Sequence, residues 1–306
     1  MIHDDILGAV GRTPMCRLRR LVPKESAEIV AKLEFFAPGG SIKDRAAVAM
    51  LAAAEADGRL SPRATVVEAS GGNTGVGLAM ACAVRGYPCV IVVPKGTARE
   101  KLAVLRTFGA EVIEARSDVE PSHAEGYIGR AEAYAREHGA FLPDQFVNPA
   151  NPQAHERATA LEILEQCDGA LDAFVACVGS GGTIAGIGRV LRQRSPAPVI
   201  VGAAPEPNSI VEGVGDEIDA DSTHGSPPDR VIRVSDAEAI SWTLRLAREE
   251  GILAGGSSGL ALAAALRVAA ELGPGKRVVM MIPDTGRNYL STYFDPAWRR
   301  ERGLAP

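Results

Sequence analysis

The sequence predicts an α/β protein with two doubly wound, mostly parallel sheets. Short segments rich in β-branched residues alternate along the chain with segments of helical spacing, a pattern typical of parallel strands joined by crossover helices. Glycine-rich stretches follow two of these strands and lead into helices, which is where such sheets bind ligands. With 306 residues, the chain is longer than one hydrophobic core usually supports, so two domains are expected.

Seven segments are predicted as strands, because each is short, apolar and bounded by turn residues. They are EIVAKLE (28–34), TVVEA (65–69), CVIVV (89–93), EVIEA (111–115), DAFVACV (172–178), PVIVGAAP (198–205) and RVVMMIP (277–283). The helical segments include KDRAAVAMLAAAEADG, AREKLAVLRTFG, AHERATALEILEQ and DAEAISWTLRLAREEG. Two stretches are predicted as loops: 142–155, where prolines disfavour regular structure, and 216–230, a surface excursion.

Composition excludes several classes of function. The formal net charge of −5 leaves no general basic surface, so nucleic acid is not expected as a partner. The five cysteines include no CxxC pair and the histidines lack metal-ligand spacing, so we predict reduced thiols and no metal site. An acidic N-terminus and the lack of any apolar run near the roughly 20 residues that span a bilayer predict a cytoplasmic protein with no membrane contact.

The stretch EASGGNTGVGLAMA (68–81) runs from a predicted strand into a predicted helix. Its glycines let backbone N–H groups approach a ligand, and Ser70, Asn73 and Thr74 add short polar side chains. An anionic group such as a carboxylate suits the start of that helix. The stretch alone is equally consistent with a tight turn capped by Asn or Thr.

A second glycine-rich stretch, VACVGSGGTIAGIGRVL (175–191), repeats this arrangement. Helix-start N–H groups together with two hydroxyls form a cradle for phosphate. The stretch lacks the Gly-Lys-Ser/Thr of a Walker sequence, and Ile184 occupies the place of the third glycine in GxGxxG. A small phosphate ligand is therefore favoured over a nucleotide.

Lys43 lies in the first turn of a predicted helix, within PGGSIKDRAAVAM (38–50). The positive end of a helix is expected to lower the pKa of a lysine, as an amine nucleophile requires. The alternative is a solvated lysine that pairs with Asp44. Taken together, a lysine, a phosphate cradle and a polar loop for a carboxylate indicate pyridoxal 5'-phosphate held as a Schiff base.

These motifs resemble those of the cysteine synthase/cystathionine β-synthase family, the fold type II pyridoxal-phosphate enzymes related to the tryptophan synthase β subunit. The resemblance spans the chain and includes KLEFFAPGGSIKDR, EASGGNTGVGLA, DQFVNPANPQAH, VGSGGTIAG, AGGSSG and IPDTGRNYLS in family order. It implies a larger cofactor-binding domain formed by residues 1–39 and 146–306. It also implies a smaller mobile domain, residues 40–145, that carries the substrate carboxylate loop, and a homodimer.

The resemblance assigns roles to individual residues. Lys43 carries the cofactor as an internal aldimine and moves the substrate's α-proton, and Asn73 bonds the phenolic oxygen of the cofactor. The expected phosphate ligands are Gly179, Ser180, Gly181, Gly182 and Thr183. The expected ligands of the substrate carboxylate are Ser70, Thr74 and Gln145, with Gly71 contributing backbone only. Gly256 is expected to line the cofactor ring and Thr285 to face its pyridine nitrogen, whereas His155 is interpreted as structural.

The implied reaction is β-replacement on serine or an O-activated serine, such as O-acetylserine or O-phosphoserine, through an α-aminoacrylate. Sulfide or a thiol then gives cysteine or cystathionine. A hydroxyl from Thr285 leaves the cofactor a mild electron sink, which favours β-elimination, whereas Asp284 in that place would reverse the inference. Gly71 stands where the family usually has Ser, which leaves the substrates open. The alternatives are an amine nucleophile giving a diaminopropionate-type product, and a lyase such as a serine dehydratase or cysteine desulfhydrase.

Overall fold

A computed structural model describes residues 2–215 and 217–304 of the chain. The chain divides into two compact units, which comprise Met1–Val10 with Ala37–Asn151 and Gly11–Phe36 with Pro152–Pro306. These boundaries differ from the sequence-based ones, which placed residues 1–39 and 146–306 together. The first segment groups with the smaller unit because Leu7 packs on that unit's core.

Strands and helices alternate through the described residues. The strands are β1 (Met15–Arg17), β2 (Glu28–Leu33), β3 (Val66–Ala69), β4 (Cys89–Pro94), β5 (Glu111–Ala115), β6 (Ala173–Cys177), β7 (Val199–Pro205), β8 (Arg230–Val234) and β9 (Arg277–Ile282). The helices are α1 (Lys43–Ala56), α2 (Asn73–Arg85), α3 (Arg99–Thr107), α4 (Tyr127–His138), α5 (Ala150–Ala154), α6 (Ala160–Gln166), α7 (Gly182–Leu191), α8 (Asp236–Arg245), α9 (Gly256–Leu272) and α10 (Pro296–Glu301). Among the helices described, none has the length and apolar character needed to cross a membrane.

The larger unit is built on a six-stranded sheet in the order β1-β2-β9-β6-β7-β8. All neighbours in it are parallel except β1 and β2. Helix α9 packs on this sheet with almost every residue of its first three turns buried, because its sequence consists largely of small and aliphatic residues. The mostly parallel architecture predicted from the sequence is confirmed.

The two outermost strands of this sheet were not predicted. Strand β1 is only three residues long and largely exposed, and β8 carries arginines at two exposed positions. Both strands therefore lack the continuous apolar run that identifies a buried parallel strand. Strand β8 begins at Arg230, whereas the loop predicted over residues 216–230 includes that residue, so the predicted loop is one residue too long at its end. The first residue of that predicted loop, Asp216, lies outside the described residues.

The smaller unit is built on the parallel sheet β3-β4-β5. Helices α1, α2 and α3 contribute to the apolar cluster on one face, and α4 contributes to the cluster on the other. Helices α1 and α2 approach closely at Gly77, where a Cβ atom would lie 3.1 Å from the Cβ of Ala47. This close packing brings the start of α1, where Lys43 lies, near the start of α2.

Residues 142–155, which we expected to be irregular, contain the start of a helix. The chain is irregular only as far as Pro149, and α5 begins at Ala150. Asn148 starts this helix, because its Oδ1 accepts a hydrogen bond from the Ala150 N–H at 3.0 Å. Helix α5 continues through a π-helical turn, His155–Thr159, into α6, a local widening that often occurs at functional sites.

Candidate active site

In the smaller unit, the polar loop between β3 and α2 is organised by Ser70. The buried Ser70 Oγ accepts hydrogen bonds from the N–H groups of Gly72, at 3.2 Å, and Gly75, at 3.1 Å. A helix start leaves such N–H groups without partners inside the helix. The cap we considered from Asn or Thr is therefore supplied by Ser70, and Asn73 is the first residue of α2.

Thr74 and Gln145 form a second polar element beside this loop. The Thr74 Oγ1 donates a hydrogen bond to the Gln145 Oε1 at 2.6 Å, and both side chains are buried. The bond leaves the Gln145 side-chain amide group as a donor. Two residues that are 71 positions apart are thus brought together, as the sequence motifs implied.

Gly71 packs closely against the loop that follows β4. A Cβ atom at residue 71 would lie 2.9 Å from the Pro94 Cδ and 3.1 Å from the Thr97 Oγ1. The space beside Gly71 is thus already occupied by neighbouring atoms. The hydroxyl of Thr97, which sequence reasoning missed, lies close to the place where a serine at residue 71 would begin its side chain.

Lys43 is the first residue of α1, and Glu68 on β3 is the charged group that acts on it. Burial lowers the pKa of Lys43 from 10.5 to about 8, and the Glu68 carboxylate opposes that change. Loss of solvation disfavours the ammonium form, so burial lowers this pKa. The Asp44 carboxylate accepts a hydrogen bond from the Gly39 N–H at 2.6 Å.

Glu68 is a buried acid that sequence reasoning missed. Burial, and after it the Asp144 carboxylate, raises the pKa of Glu68 from 4.5 to about 8. The backbone N–H groups of Asp144 and Gln145 and the charge of Lys43 act in the opposite direction and lower it. The only signal in the sequence is a carboxylate inside the apolar run TVVEA. Lys43 and Glu68 thus change charge in the same pH range.

In the larger unit, the loop between β6 and α7 forms a tight cradle. Gly181 caps α7 in the left-handed conformation, with φ 74°, and no side chain caps the start of the helix. A Cβ at Gly179 would collide with the carbonyl oxygen of Gly213, and one at Gly181 with that of Ser222. Only glycine fits these positions, and the N–H groups at the helix start remain suited to an anion.

Two histidines support this cradle from outside. The His224 Nε2 lies 2.9 Å from the Ser180 carbonyl oxygen. The buried His155 lies between two hydroxyls, with its Nδ1 2.9 Å from the Thr159 Oγ1 and its Nε2 3.4 Å from the Thr183 Oγ1. These contacts agree with a structural role for His155.

Gly256 and Thr285 are brought together at the same edge of the larger unit's sheet. An antiparallel bridge joins Ala254 to Thr285, directly before α9 begins at Gly256. The Thr285 Oγ1 caps the following turn by accepting from the Arg287 N–H at 3.3 Å. Asp284 is buried and accepts a hydrogen bond from the Tyr289 hydroxyl at 2.7 Å, so its carboxylate is engaged within the protein core.

The predicted site residues thus form one group in each unit. The smaller unit holds Lys43, Ser70, Gly71, Asn73, Thr74 and Gln145, and the larger unit holds Gly179, Ser180, Gly181, Gly182, Thr183, Gly256 and Thr285. In each unit the loops follow the carboxyl ends of parallel strands, the usual ligand-binding edge.

Comparison with known proteins identifies the family. A family model described as pyridoxal-phosphate dependent enzyme matches residues 6–284. A cysteine synthase from Staphylococcus aureus is 41% identical over 301 residues, which cover 94% of this chain and 96% of that protein. A cystathionine beta-synthase from Apis mellifera is 41% identical over 321 residues, which cover 99% of this chain and 64% of that protein. The chain belongs to the cysteine synthase/cystathionine β-synthase family.

Two solved structures of one enzyme, O-ureido-L-serine synthase, are similar to this chain. The crystal structure of O-ureido-L-serine synthase matches with a TM-score of 0.89 and 35% sequence identity, and the match covers 97% of this chain and 96% of the synthase chain. A lysine-to-alanine mutant of that synthase, with O-ureido-L-serine bound, has a TM-score of 0.85 and 34% identity over the whole of both chains. The fold type II architecture and the enzyme class predicted from the sequence are confirmed.

The cofactor of this family, pyridoxal 5'-phosphate, fits the residues present. The cradle of Gly179 and Gly181 ends at a helix start with no side-chain cap, as a phosphate group requires. Lys43 is an amine whose pKa is lowered to about 8, so that a substantial fraction is neutral and nucleophilic near physiological pH. The predicted cofactor is confirmed by the family.

We predict that Lys43 reacts as an amine at unusually low pH. In cofactor-free protein, its acylation by acetic anhydride should have a midpoint near pH 8 rather than 10.5. Glu68→Gln should move the midpoint lower still, because the carboxylate that favours the ammonium is removed. Peptide mass spectrometry after labelling over a pH series measures both. Glu114→Gln, an exposed glutamate on β5, is the control, and a midpoint near 10.5 would contradict the prediction.

We predict that Gly181→Ala weakens binding of pyridoxal phosphate by roughly tenfold or more, about 1.4 kcal/mol. The added Cβ meets the Ser222 carbonyl oxygen and forces the cradle to shift. Gly251→Ala is the matched control, because Gly251 has a similar φ of 71° and nothing within 4 Å of its Cβ position. Titration of the cofactor-free variants measures affinity. Equal losses in both variants would show that backbone strain, and not the cradle, is responsible.

Proposed function

We propose that the chain catalyses β-replacement on serine or an O-activated serine, with sulfide or a thiol as nucleophile, to give cysteine or cystathionine. The observation that carries this proposal is the Thr74–Gln145 hydrogen bond of 2.6 Å beside the start of α2, where Ser70 Oγ accepts from the Gly72 and Gly75 N–H groups. Hydroxyl, amide and helix-start N–H groups are suited to the carboxylate of an amino acid. Lys43 belongs to the same unit.

Each group then has a definite task. Ser70, Thr74 and Gln145 bind the substrate carboxylate, and this orients the Cα–H bond toward Lys43. The Lys43 Nζ takes the α-proton, for which a pKa of about 8 is well matched to neutral or mildly alkaline conditions. When bound, pyridoxal phosphate supplies the electron sink that makes the α-proton acidic and allows the β-substituent to leave.

The larger unit supplies the cofactor ligands in this proposal. The residues of the cradle, 179–183, bind the phosphate, Gly256 lines the ring and Thr285 faces its pyridine nitrogen. Asp284 is already bonded to the Tyr289 hydroxyl, which favours Thr285 over Asp284 for this role. A neutral hydroxyl leaves the cofactor a mild electron sink, and this favours loss of the β-substituent. By family resemblance we further propose a cytoplasmic homodimer and a mobile smaller unit.

A nucleophile other than a thiol is the second candidate. It is supported by the similarity to O-ureido-L-serine synthase and by Gly71, which removes the serine hydroxyl usual in the family. Pro94 and Thr97 occupy the adjoining space instead. A donor site altered in this way is a reason to test amines, including those that give diaminopropionate-type products.

The donor is tested with the absorption spectrum of the protein loaded with pyridoxal phosphate. L-serine, O-acetyl-L-serine and O-phospho-L-serine are added in turn without a nucleophile. We expect one O-activated serine to change the visible band, because loss of its leaving group is easier than loss of hydroxide. Lys43→Ala should abolish the change, and Lys24→Ala, at an exposed lysine, should not.

The nucleophile is tested on the same sample. Sulfide, homocysteine and a primary amine are added separately, and the one that restores the original band is identified by mass spectrometry of the product. Restoration by sulfide or homocysteine supports the proposal, and restoration by the amine alone supports the second candidate. Pyruvate and ammonia formed without any nucleophile would identify a lyase. No response to any donor would overturn the proposed function.

A further inference from the structure

Glu68 lies at an unusual place for a carboxyl group. It is 1% exposed and occupies the third position of β3. Val66, two residues earlier on the same face, belongs to the apolar cluster formed with α1 and α2. A carboxyl group buried in such surroundings is costly unless its oxygens accept hydrogen bonds. The partners of Glu68 therefore indicate what it does.

The partner of Glu68 is the backbone N–H of Asp144, the residue before Gln145. The Glu68 Oε2 accepts from this N–H at 3.0 Å, and the Gln145 N–H also acts to lower the pKa of the carboxyl group. Backbone pairing along this edge of β3 reaches only as far as Phe141, which exchanges bonds of 2.8 and 2.9 Å with Thr65 and Val67. After Phe141 the chain moves away from the β3 backbone, and the Glu68 side chain is the group on β3 that accepts a hydrogen bond from it, at Asp144.

The segment held by Glu68 is a tight turn that is strained. Asp144 has a φ of 51°, the left-handed region that residues other than glycine seldom adopt. Its carbonyl oxygen accepts from the Asn148 N–H at 3.0 Å, and the Asn151 side chain donates to the Gln145 carbonyl oxygen at 2.8 Å. The backbone is thus held directly before Gln145, at the Asp144 N–H, by Glu68 and at the Gln145 carbonyl by Asn151.

We propose that Glu68 is a positioning residue that holds Gln145 where its side chain can bind the substrate carboxylate. Fixing the backbone on both sides of Gln145 sets the direction of its side chain, which the Thr74 hydroxyl meets at 2.6 Å. A side chain fixed before the substrate arrives loses less conformational entropy on binding. This inference rests on the proposed function, because it takes the substrate to be an amino acid bound through its carboxylate.

The test compares holoenzyme variants Glu68→Gln, Gln145→Ala and the double variant. The probe is whichever of L-serine, O-acetyl-L-serine and O-phospho-L-serine changes the cofactor band, and the measured quantities are its half-saturating concentration and the limiting rate. The assays are run at about pH 9, above the pKa of about 8 at which Glu68 becomes charged. Under these conditions Glu68→Gln keeps the size of the side chain and loses the charged acceptor. We expect it to raise half-saturation about fivefold to tenfold and to change the limiting rate less than about twofold.

The double variant distinguishes positioning from general stabilisation. If Glu68 acts through Gln145, the double variant should have the half-saturation of Gln145→Ala alone, within about twofold. Effects that multiply, or a Glu68→Gln variant with unchanged half-saturation, would overturn the proposal. Glu114→Gln, an exposed glutamate on β5, is the matched control and should leave both quantities unchanged.

Two further outcomes are separable. If Glu68→Gln does not fold, judged by circular dichroism and cofactor binding, Glu68→Asp replaces it. This variant keeps the carboxyl group and withdraws it from the Asp144 N–H, and the same pattern is expected. If Gln145→Ala leaves half-saturation unchanged, the carboxylate role of Gln145 in the proposed function fails, and the Glu68 proposal is overturned with it. Multiplying effects in the double variant overturn the Glu68 proposal and leave the proposed function intact.

Discussion

The backbone N–H groups at one helix start in each unit are the feature on which the proposed binding roles depend. At α2, the Ser70 hydroxyl accepts from two of them, so the helix start is partly satisfied within the protein and side chains complete the binding surface. At α7, Gly181 occupies the N-cap position, and Cβ atoms at Gly179 and Gly181 would collide with neighbouring carbonyl oxygens. Helix-start N–H groups are suited to an anion, which supports the proposed phosphate site at α7 and the proposed carboxylate site at α2.

Close packing of backbone against backbone explains why the cradle is made of glycine. Gly179 lies against the Gly213 carbonyl, Gly181 against that of Ser222, and Gly186 in the next turn of α7 against that of Pro152. Each contact comes from a different segment of the larger unit, so the cradle is fixed by the fold around it rather than by its own sequence. The hydroxyl of Tyr293 extends this arrangement, because it accepts from the Glu212 N–H at 2.9 Å and fixes the approach to Gly213.

The sequence identified the central strands and both glycine loops because these elements follow local rules: continuous apolar runs for buried parallel strands, and glycine where a strand turns into a helix. It missed what depends on distant contacts. Strands β1 and β8 are edge strands, whose pairing compensates for poor local patterning. A lowered pKa of Lys43 was expected from the helix end, whereas its burial, which also lowers the pKa, could not be read from the sequence. Thr97 and Glu68 acquire their places beside Gly71 and Gln145 only through tertiary packing.

Glu68 shows why a site of this kind is more than a set of ligands. An apolar side chain in its place on β3 would remove a desolvation cost, and buried ionisable groups are often less stabilising than well-packed hydrophobic ones. The Asp144 N–H would then be left without this acceptor, and the left-handed Asp144 would lose the contact that opposes its strain. The acid also favours the charged form of Lys43, so one side chain acts both on the turn before Gln145 and on the protonation of Lys43. Stability is exchanged here for preorganisation, as is common at active sites.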